Sequence, residues 1–310
     1  MSKSLAILLS VVAALLIGGM IYLFVNEQKI KKEEKRIPVT DSMTFVEGMN
    51  YAMPVPIPDS VSFAGEAVPM DIFYVREQLD RELTVNTYWH SATILSLKRA
   101  ARWFPVIEPI LAKNGIPADF KYLALIESGL MNVISPAGAT GVWQFLEKTG
   151  KEYGLVINKE VDERYDVTKS TEAACAYLNK SFIKFGNWTL VASSYNAGQG
   201  RIDETIYKQQ VRSYYQMFLP DETSRYIFRI LALKCIFENP IRYGFKVAPG
   251  DLYPVINTKT MKVMQSIDDL PTFAREHKTT YRMLKELNPW LRSDKLTVRH
   301  GEEYSIELPI

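Results

Sequence analysis

Cysteine and histidine are nearly missing from this chain, with two of the first and three of the second in 310 residues. Two cysteines cannot staple a fold of this length, so its stability has to come from a packed apolar core. Cys175 and Cys235 stand in apolar, helix-like runs and read more readily as small buried hydrophobes than as a bridge. His90, His277 and His300 are scattered without ligand spacing, so no metal and no other cofactor is implied. A surplus of one charge is missing too: Lys and Arg number 37 against 35 Asp and Glu, a net charge of +2. That balance demands no polyanion-binding surface and speaks against a nucleic-acid partner. With 47% apolar and 23% charged residues, wholesale disorder is excluded. The length suits two domains with connecting segments.

One long hydrophobic run is present, at the start. Leu5 to Val25 carries no charge over 21 residues, enough for a helix to span roughly 30 Å of hydrocarbon. A cleaved signal has a shorter apolar region of about 7–15 residues and a small-residue cleavage site, and none is convincing here. Residues 1–25 are therefore expected to be an uncleaved membrane anchor, with a cleaved signal as the alternative. Lys3 precedes the run, whereas Lys29, Lys31, Lys32, Lys35 and Arg36 follow it. By the positive-inside rule alone, that asymmetry would leave the body of the protein in the cytoplasm.

Residues 26–70 begin as a charged stalk and continue with Pro38, Pro54, Pro56, Pro58 and Pro69. The Met-Pro-Val-Pro-Ile-Pro stretch cannot be helical and reads as an extended linker. From 71 to 248 the pattern turns helical. Ile72, Val75, Leu79 and Leu83 recur at helical spacing, as do Ile94, Leu97, Ala101 and Phe104. Helices are also expected over Ala118–Ser128 after Pro117, and over Gly141–Tyr153, Ser170–Phe185, Trp188–Ala197, Gly200–Lys208 and Glu222–Glu238. Over 255–310 the texture changes. Thr260–Ser266 and Tyr304–Leu308 read as strands flanking short helices at Leu270–His277 and Thr280–Leu287, a small α+β module of βααβ order. The fold class is mainly α.

Candidate chemistry gathers in the helical part. In Phe120-Lys-Tyr-Leu-Ala-Leu-Ile-Glu127, the glutamate shares a helix face with Ala124, Leu123 and Phe120. A carboxyl group on an apolar stripe loses solvation, which raises its pKa and fits it for general-acid work; the plainer alternative is a helix-terminal glutamate reaching water. Next, Ser135-Pro-Ala-Gly-Ala-Thr-Gly-Val-Trp-Gln-Phe145 offers glycines for a tight turn. Its Trp143 and Gln144 suit sugar by stacking and hydrogen bonding, or else form a core aromatic and a helix start. Ser194-Tyr-Asn-Ala-Gly198 is either a helix C-cap or a polar pair, Tyr195 and Asn196, facing a cleft. Glu222-Thr-Ser-Arg-Tyr226 reads equally as only the first turn of a surface helix.

Taken in order and spacing, Glu127-Ser128, Gly141-Val-Trp-Gln144, Ser194-Tyr-Asn-Ala-Gly198 and Glu222 with Tyr226 resemble the lytic transglycosylases of the SLT superfamily. The likeness is to the membrane-bound D-type branch, where tryptophan often replaces methionine, and it covers roughly residues 88–240. Two departures stand out. The interval from Glu127 to Ser135 is one residue short, with Leu130-Met-Asn-Val-Ile134 replacing a proline-containing stretch, and Ser194 stands where alanine is usual. The resemblance implies a lysozyme-like domain that cleaves the β-1,4 bond between N-acetylmuramic acid and N-acetylglucosamine in peptidoglycan, forming 1,6-anhydro ends. It implies Glu127 as the single acid/base, since the next acid along the chain is Glu147. Ser128, Ser135, Gly141, Trp143, Gln144, Tyr195, Asn196 and Tyr226 are the implied substrate-binding residues.

Asp269-Leu-Pro-Thr-Phe-Ala-Arg-Glu-His277, Leu284-Lys-Glu-Leu-Asn-Pro289 and Ile306-Glu-Leu-Pro309 resemble a LysM repeat that lacks its opening Gly-Asp-Thr-Leu. That resemblance implies a tethered module binding N-acetylglucosamine chains, or a cap without sugar affinity. Peptidoglycan strands are the implied partner, together with the membrane through the N-terminal helix. Since that polymer lies outside the inner membrane, the implied location is its periplasmic side, or beyond it if the first segment is cleaved, despite the positive flank. Two alternatives remain: a hydrolase of the goose-type-lysozyme kind, and a non-catalytic wall-binding scaffold.

Overall fold

Apolar spacing wraps helices of 6 to 24 residues around one largely buried helix. The computed structural model describes residues 53–310; the expected anchor and the charged stalk lie outside the described residues. Among the described residues no helix is long and apolar enough to cross a membrane.

The stretch expected to be linker is in part structural. Residues 54–70 include a small antiparallel hairpin, β1 (Ser62–Phe63) with β2 (Glu66–Ala67), and bury Val55, Phe63 and Val68 in the main core. Its prolines keep it out of helix, as expected, but three well-spaced apolar side chains repay its packing.

The helical part runs α1 (Phe73–Tyr88), α2 (His90–Lys113), α3 (Phe120–Ser128), α4 (Glu147–Glu152), α5 (Val167–Phe185), α6 (Trp188–Ala197), α7 (Gln199–Gln209) and α8 (Asp221–Glu238). Helix α8 is the hub: Tyr226, Ile227, Phe228, Ile230, Leu231 and Ile236 are all buried, and it packs against α1, α3 and α6. Two expected starts move. Helix α5 begins at Val167 because Asp166 caps it, its carboxylate accepting from the Lys169 amide at 2.9 Å. The helix expected from Gly141 starts only at Glu147. Thr140 and Phe145 pair across a tight turn instead, and that turn holds Gln144 at φ +52°.

Residues 255–310 follow the expected order: β3 (Thr258–Val263), α9 (Leu270–Glu276), α10 (Tyr281–Leu287) and β4 (Tyr304–Pro309). The strands pair antiparallel from Thr258 opposite Pro309 to Val263 opposite Tyr304. A second core fills this module with Leu270, Phe273, Leu284, Trp290, Leu291, Leu296, Ile306 and Leu308. It also takes in Val161 and Tyr165, which precede α5. The module is therefore seated on the helical part, not hung from a free tether, and residues 54–310 form one compact unit.

Candidate active site

Glu127 lies in the last turn of α3, and the stripe beneath it is as apolar as its spacing implies: Phe120, Leu123 and Ala124 have no exposed surface. Gly129 ends the helix in the left-handed conformation at φ +61°, with its amide donating to the Leu125 carbonyl. That stop leaves the glutamate at the rim of the core. The Tyr226 hydroxyl donates to its Oε1 from α8. The Arg229 guanidinium, one turn further along α8, donates to the Ile126 carbonyl at 3.1 Å.

Burial dominates the electrostatics. It raises the Glu127 carboxyl above the ordinary glutamate range, against the pull of the Tyr226 hydroxyl and the Arg229 charge. The nearby charge of Glu222 adds to the rise. The motif set in the sequence already included this second acid. It lies 95 positions beyond Glu127 by number, and only the packing of α8 against α3 brings it within electrostatic reach. Tyr226 is itself pushed well above the ordinary phenol range by burial, then by the adjoining carboxyl. Tyr195 moves the same way, by burial first and then by the charge of the same carboxyl group.

Asn196, near the end of α6, is oriented from α8. Its Nδ2 donates to the Glu222 carboxylate at 3.2 Å, and its Oδ1 accepts from the Thr223 hydroxyl at 2.9 Å. Two independent partners fix which way this amide points. Glu127, Tyr195, Asn196, Glu222 and Tyr226 thus converge from three helices.

The expected loop residues do a different job. Trp143 is fully buried and its indole N–H donates to the Thr171 hydroxyl at 2.8 Å, so it offers no face for a sugar to stack on. The Tyr195 hydroxyl, expected to meet the substrate, donates to the Trp143 carbonyl at 2.7 Å. The Ser128 hydroxyl donates to the Val142 carbonyl at 2.8 Å, and the Ser135 hydroxyl accepts from the Ala139 amide at 3.0 Å. Gln144 spends its amide nitrogen on the Gly141 and Val133 carbonyls, at 2.7 and 3.1 Å. These side chains satisfy the backbone of a loop that has no regular structure of its own. Gly141 is there for a steric reason: at φ +81°, a Cβ would stand 1.8 Å from the Arg164 carbonyl oxygen.

Among the described residues no cluster could hold a metal ion. Both cysteines are free, and burial pushes the Cys175 thiol up to about 12 and the Cys235 thiol up to about 11, so neither is a ready nucleophile.

Comparison with known proteins bears on the same two regions. Residues 105–218 match the transglycosylase SLT domain family, and residues 259–310 match the soluble lytic transglycosylase C-terminal LysM-like domain. Membrane-bound lytic murein transglycosylase D from Escherichia coli K12 is 33% identical over 204 residues, covering 62% of this chain and 44% of that protein. Its counterpart from Escherichia coli O6:H1 strain CFT073 matches to the same extent. The chain thus spans less than half the length of the relatives it matches. It carries an SLT domain followed by a LysM-like domain and is homologous to these proteins.

Proposed function

We propose that this chain, an SLT domain joined to a LysM-like domain, is a peptidoglycan lytic transglycosylase with Glu127 as its single acid/base. The observation carrying the reading is the buried carboxyl group whose pKa is raised and whose one oxygen receives the Tyr226 hydroxyl. The bond cleaved is β-1,4 between N-acetylmuramic acid and N-acetylglucosamine.

Protonated Glu127 gives its proton to the glycosidic oxygen, which leaves with the bonding electron pair. The acetamido oxygen of the muramic residue closes on C1 and carries the developing positive charge. Glu127, now a carboxylate, is stabilised by the Tyr226 hydroxyl and the Arg229 charge. It then takes the proton of the C6 hydroxyl as O6 attacks C1 and the bond from C1 to the acetamido oxygen breaks, that oxygen keeping the electron pair, which leaves a 1,6-anhydro end and consumes no water. An internal hydroxyl held against its target has a high effective concentration, which suits a site with one working acid. Asn196, clamped by Glu222 and Thr223, keeps an N–H for the substrate. Its amide and the amide oxygen of Gln144, whose nitrogen is taken by the loop, position sugar, while Trp143, Ser128 and Ser135 keep the loop in shape. The substrate places the body on the periplasmic side of the inner membrane, anchored through residues 1–25 or exported if they are removed. Glycan affinity of the LysM-like domain would act on the same polymer.

One observation favours a second reading. Glu222 supplies a second carboxylate near Glu127, and hydrolysis of the goose-type-lysozyme kind needs a group to hold an attacking water. Product mass separates the two, because an anhydro end is one water lighter than a reducing end. Digestion of purified sacculi followed by mass spectrometry should give anhydro-muropeptides, and Glu127→Gln should release none while still binding sacculi. Reducing ends alone would establish the hydrolase, and undiminished release by Glu127→Gln would remove the glutamate from the mechanism. A wall-binding scaffold without activity requires that neither product form.

A further inference from the structure

Between α4 and α5 the chain runs from residue 153 to 166 with only a short 3₁₀ turn at Glu163–Tyr165, and it faces two ways. Toward the candidate site it presents Arg164. The guanidinium is gripped by the Asp162 carboxylate, with Nε to Oδ1 at 2.9 Å and Nη2 to Oδ2 at 2.7 Å, and both residues are buried. Its remaining Nη1 donates to the carbonyls of Gly138 and Phe145, each at 3.2 Å. The Arg164 carbonyl, in turn, lies where Gly141 has no side chain. One arginine therefore braces both arms of the 138–145 turn.

Toward the LysM-like domain the same segment presents Glu160 to Asp162. The Glu160 carbonyl accepts from the Arg292 amide at 2.7 Å, and its carboxylate accepts from the Thr297 amide at 2.7 Å. Val161 bridges Leu291, and the Asp162 amide donates to the Trp290 carbonyl at 2.9 Å. The Arg292 guanidinium sits 4.0 Å over the Tyr165 ring. Asp162 belongs to both systems, its amide bound to the module and its carboxylate to the brace.

From this we infer that the C-terminal module is a positioning element for the catalytic loop, with Glu160 and Arg164 as its positioning residues. The inference rests on the transglycosylase reading of the site. The 138–145 turn is pinned within itself by the Thr140–Phe145 pair and by the Thr140 hydroxyl on the Gly138 carbonyl, and Arg164 ties the Gly138 and Phe145 carbonyls to the segment that carries the module. A buried ion pair holds one geometry only if both partners are fixed, and the module fixes Asp162 through its backbone. A loop displaced by about 1 Å loses turnover on the order of 100-fold. Such a role is separate from glycan affinity. It acts on substrates too short to reach the module.

The test uses the full chain. Glu160→Ala removes the side-chain half of the dock at a partly exposed position, Leu291→Asp places a charge inside it, and Arg164→Lys keeps a charge but loses the fork. Two quantities are read: deuterium uptake of the peptide spanning residues 135–146, and kcat and KM on short soluble muropeptides, with sacculus binding measured alongside. The expected result is faster uptake in that peptide and a kcat lowered about ten-fold or more at unchanged KM, with sacculus binding retained, for Glu160→Ala and Leu291→Asp. Arg164→Lys should behave alike while leaving uptake inside the module unchanged. Loop uptake identical to wild type in Glu160→Ala and Leu291→Asp overturns the inference, as does loss of sacculus binding with kcat intact. Should the wild type itself cleave no muropeptide, the transglycosylase reading fails, and the uptake measurement still decides whether the module holds the loop.

Discussion

At Glu127 the fold maintains a carboxyl group where a hydrocarbon would be more comfortable. In the unfolded chain this acid titrates in the ordinary range, and in the folded protein burial raises it. Between those two values the native state binds more protons than the unfolded state, so rising pH removes stability across that window. Above it the penalty is fully present; below it, absent. Glu127→Gln should therefore raise the melting temperature at neutral pH, and the gain should vanish below about pH 4, where the glutamate is protonated in both states. Equal gains at both pH values would show the charge to be well solvated. Tyr226→Phe reports on the opposing influence. Without the hydroxyl donor the carboxyl rises further, so the alkaline limb of kcat/KM, where the acid loses its proton, should move to higher pH. A limb that stays in place or moves down would mean the hydroxyl does not act on the acid. The apolar setting of Glu127 was legible in the sequence because its three apolar neighbours lie at helical spacing, whereas its choice as the acid came from the family resemblance. Trp143 was misread for a related reason: an aromatic beside an amide looks alike in a cleft and in a core. Only its contact with Thr171, from a helix 28 residues away in number, separates the two.

At the scale of elements, the parts bearing the site are held by pieces that looked dispensable. The β1–β2 hairpin sits in a proline-rich stretch read as spacer, yet its Glu66 caps the start of α6. The carboxylate accepts from the Trp188 amide at 2.6 Å, the Thr189 amide at 2.9 Å and the Thr189 hydroxyl at 2.6 Å. Asn187 caps the same turn conventionally, through the Leu190 amide at 2.8 Å. Helix α6 delivers Tyr195 and Asn196 at its other end, so its tilt matters to both. Asp119 is a parallel case. It lies at the start of α3 but caps nothing there; it accepts from the Ala64 amide and from Lys234, each at 2.7 Å, and ties the hairpin to α3 and α8. Helix extents were readable from apolar periodicity, and Trp188–Ala197 matches its expected bounds. Such tertiary caps were not, because the two partners are 122 positions apart and neither residue type is unusual locally. Glu66→Ala leaves three donors without their acceptor and should cost about 2 kcal/mol in chemical denaturation, with a larger relative fall in kcat than in sacculus binding. A change under about 0.5 kcal/mol would mean that Asn187 alone holds the turn.

For the molecule as a whole, the two parts told apart by texture share buried packing. Texture alone separated 71–248 from 255–310, and within each part the order of elements agrees with that reading. What texture could not reveal is that Val161 and Tyr165, sitting in the middle of the helical part, complete the core of the module. A core shared across a boundary couples the stabilities of its two sides, whereas a tethered module would unfold on its own terms. The connecting segment reinforces this: the Tyr253 amide donates to the Lys98 carbonyl at 3.2 Å, and Arg102 donates to the Pro254 carbonyl at 3.0 Å, so it lies strapped along α2. Residues 54–310 should accordingly lose protection against hydrogen exchange together. Peptides from α3 and from the β3–β4 pair are expected to share one denaturant midpoint under native-state exchange. Ile306→Ala, which removes a fully buried side chain from β4, should lower that common midpoint by an amount equal to about 2–5 kcal/mol, for α3 as much as for β4. A midpoint that falls for the β3–β4 peptides while α3 keeps its own would make the module an independent domain, and the shared residues a contact surface without cooperative consequence.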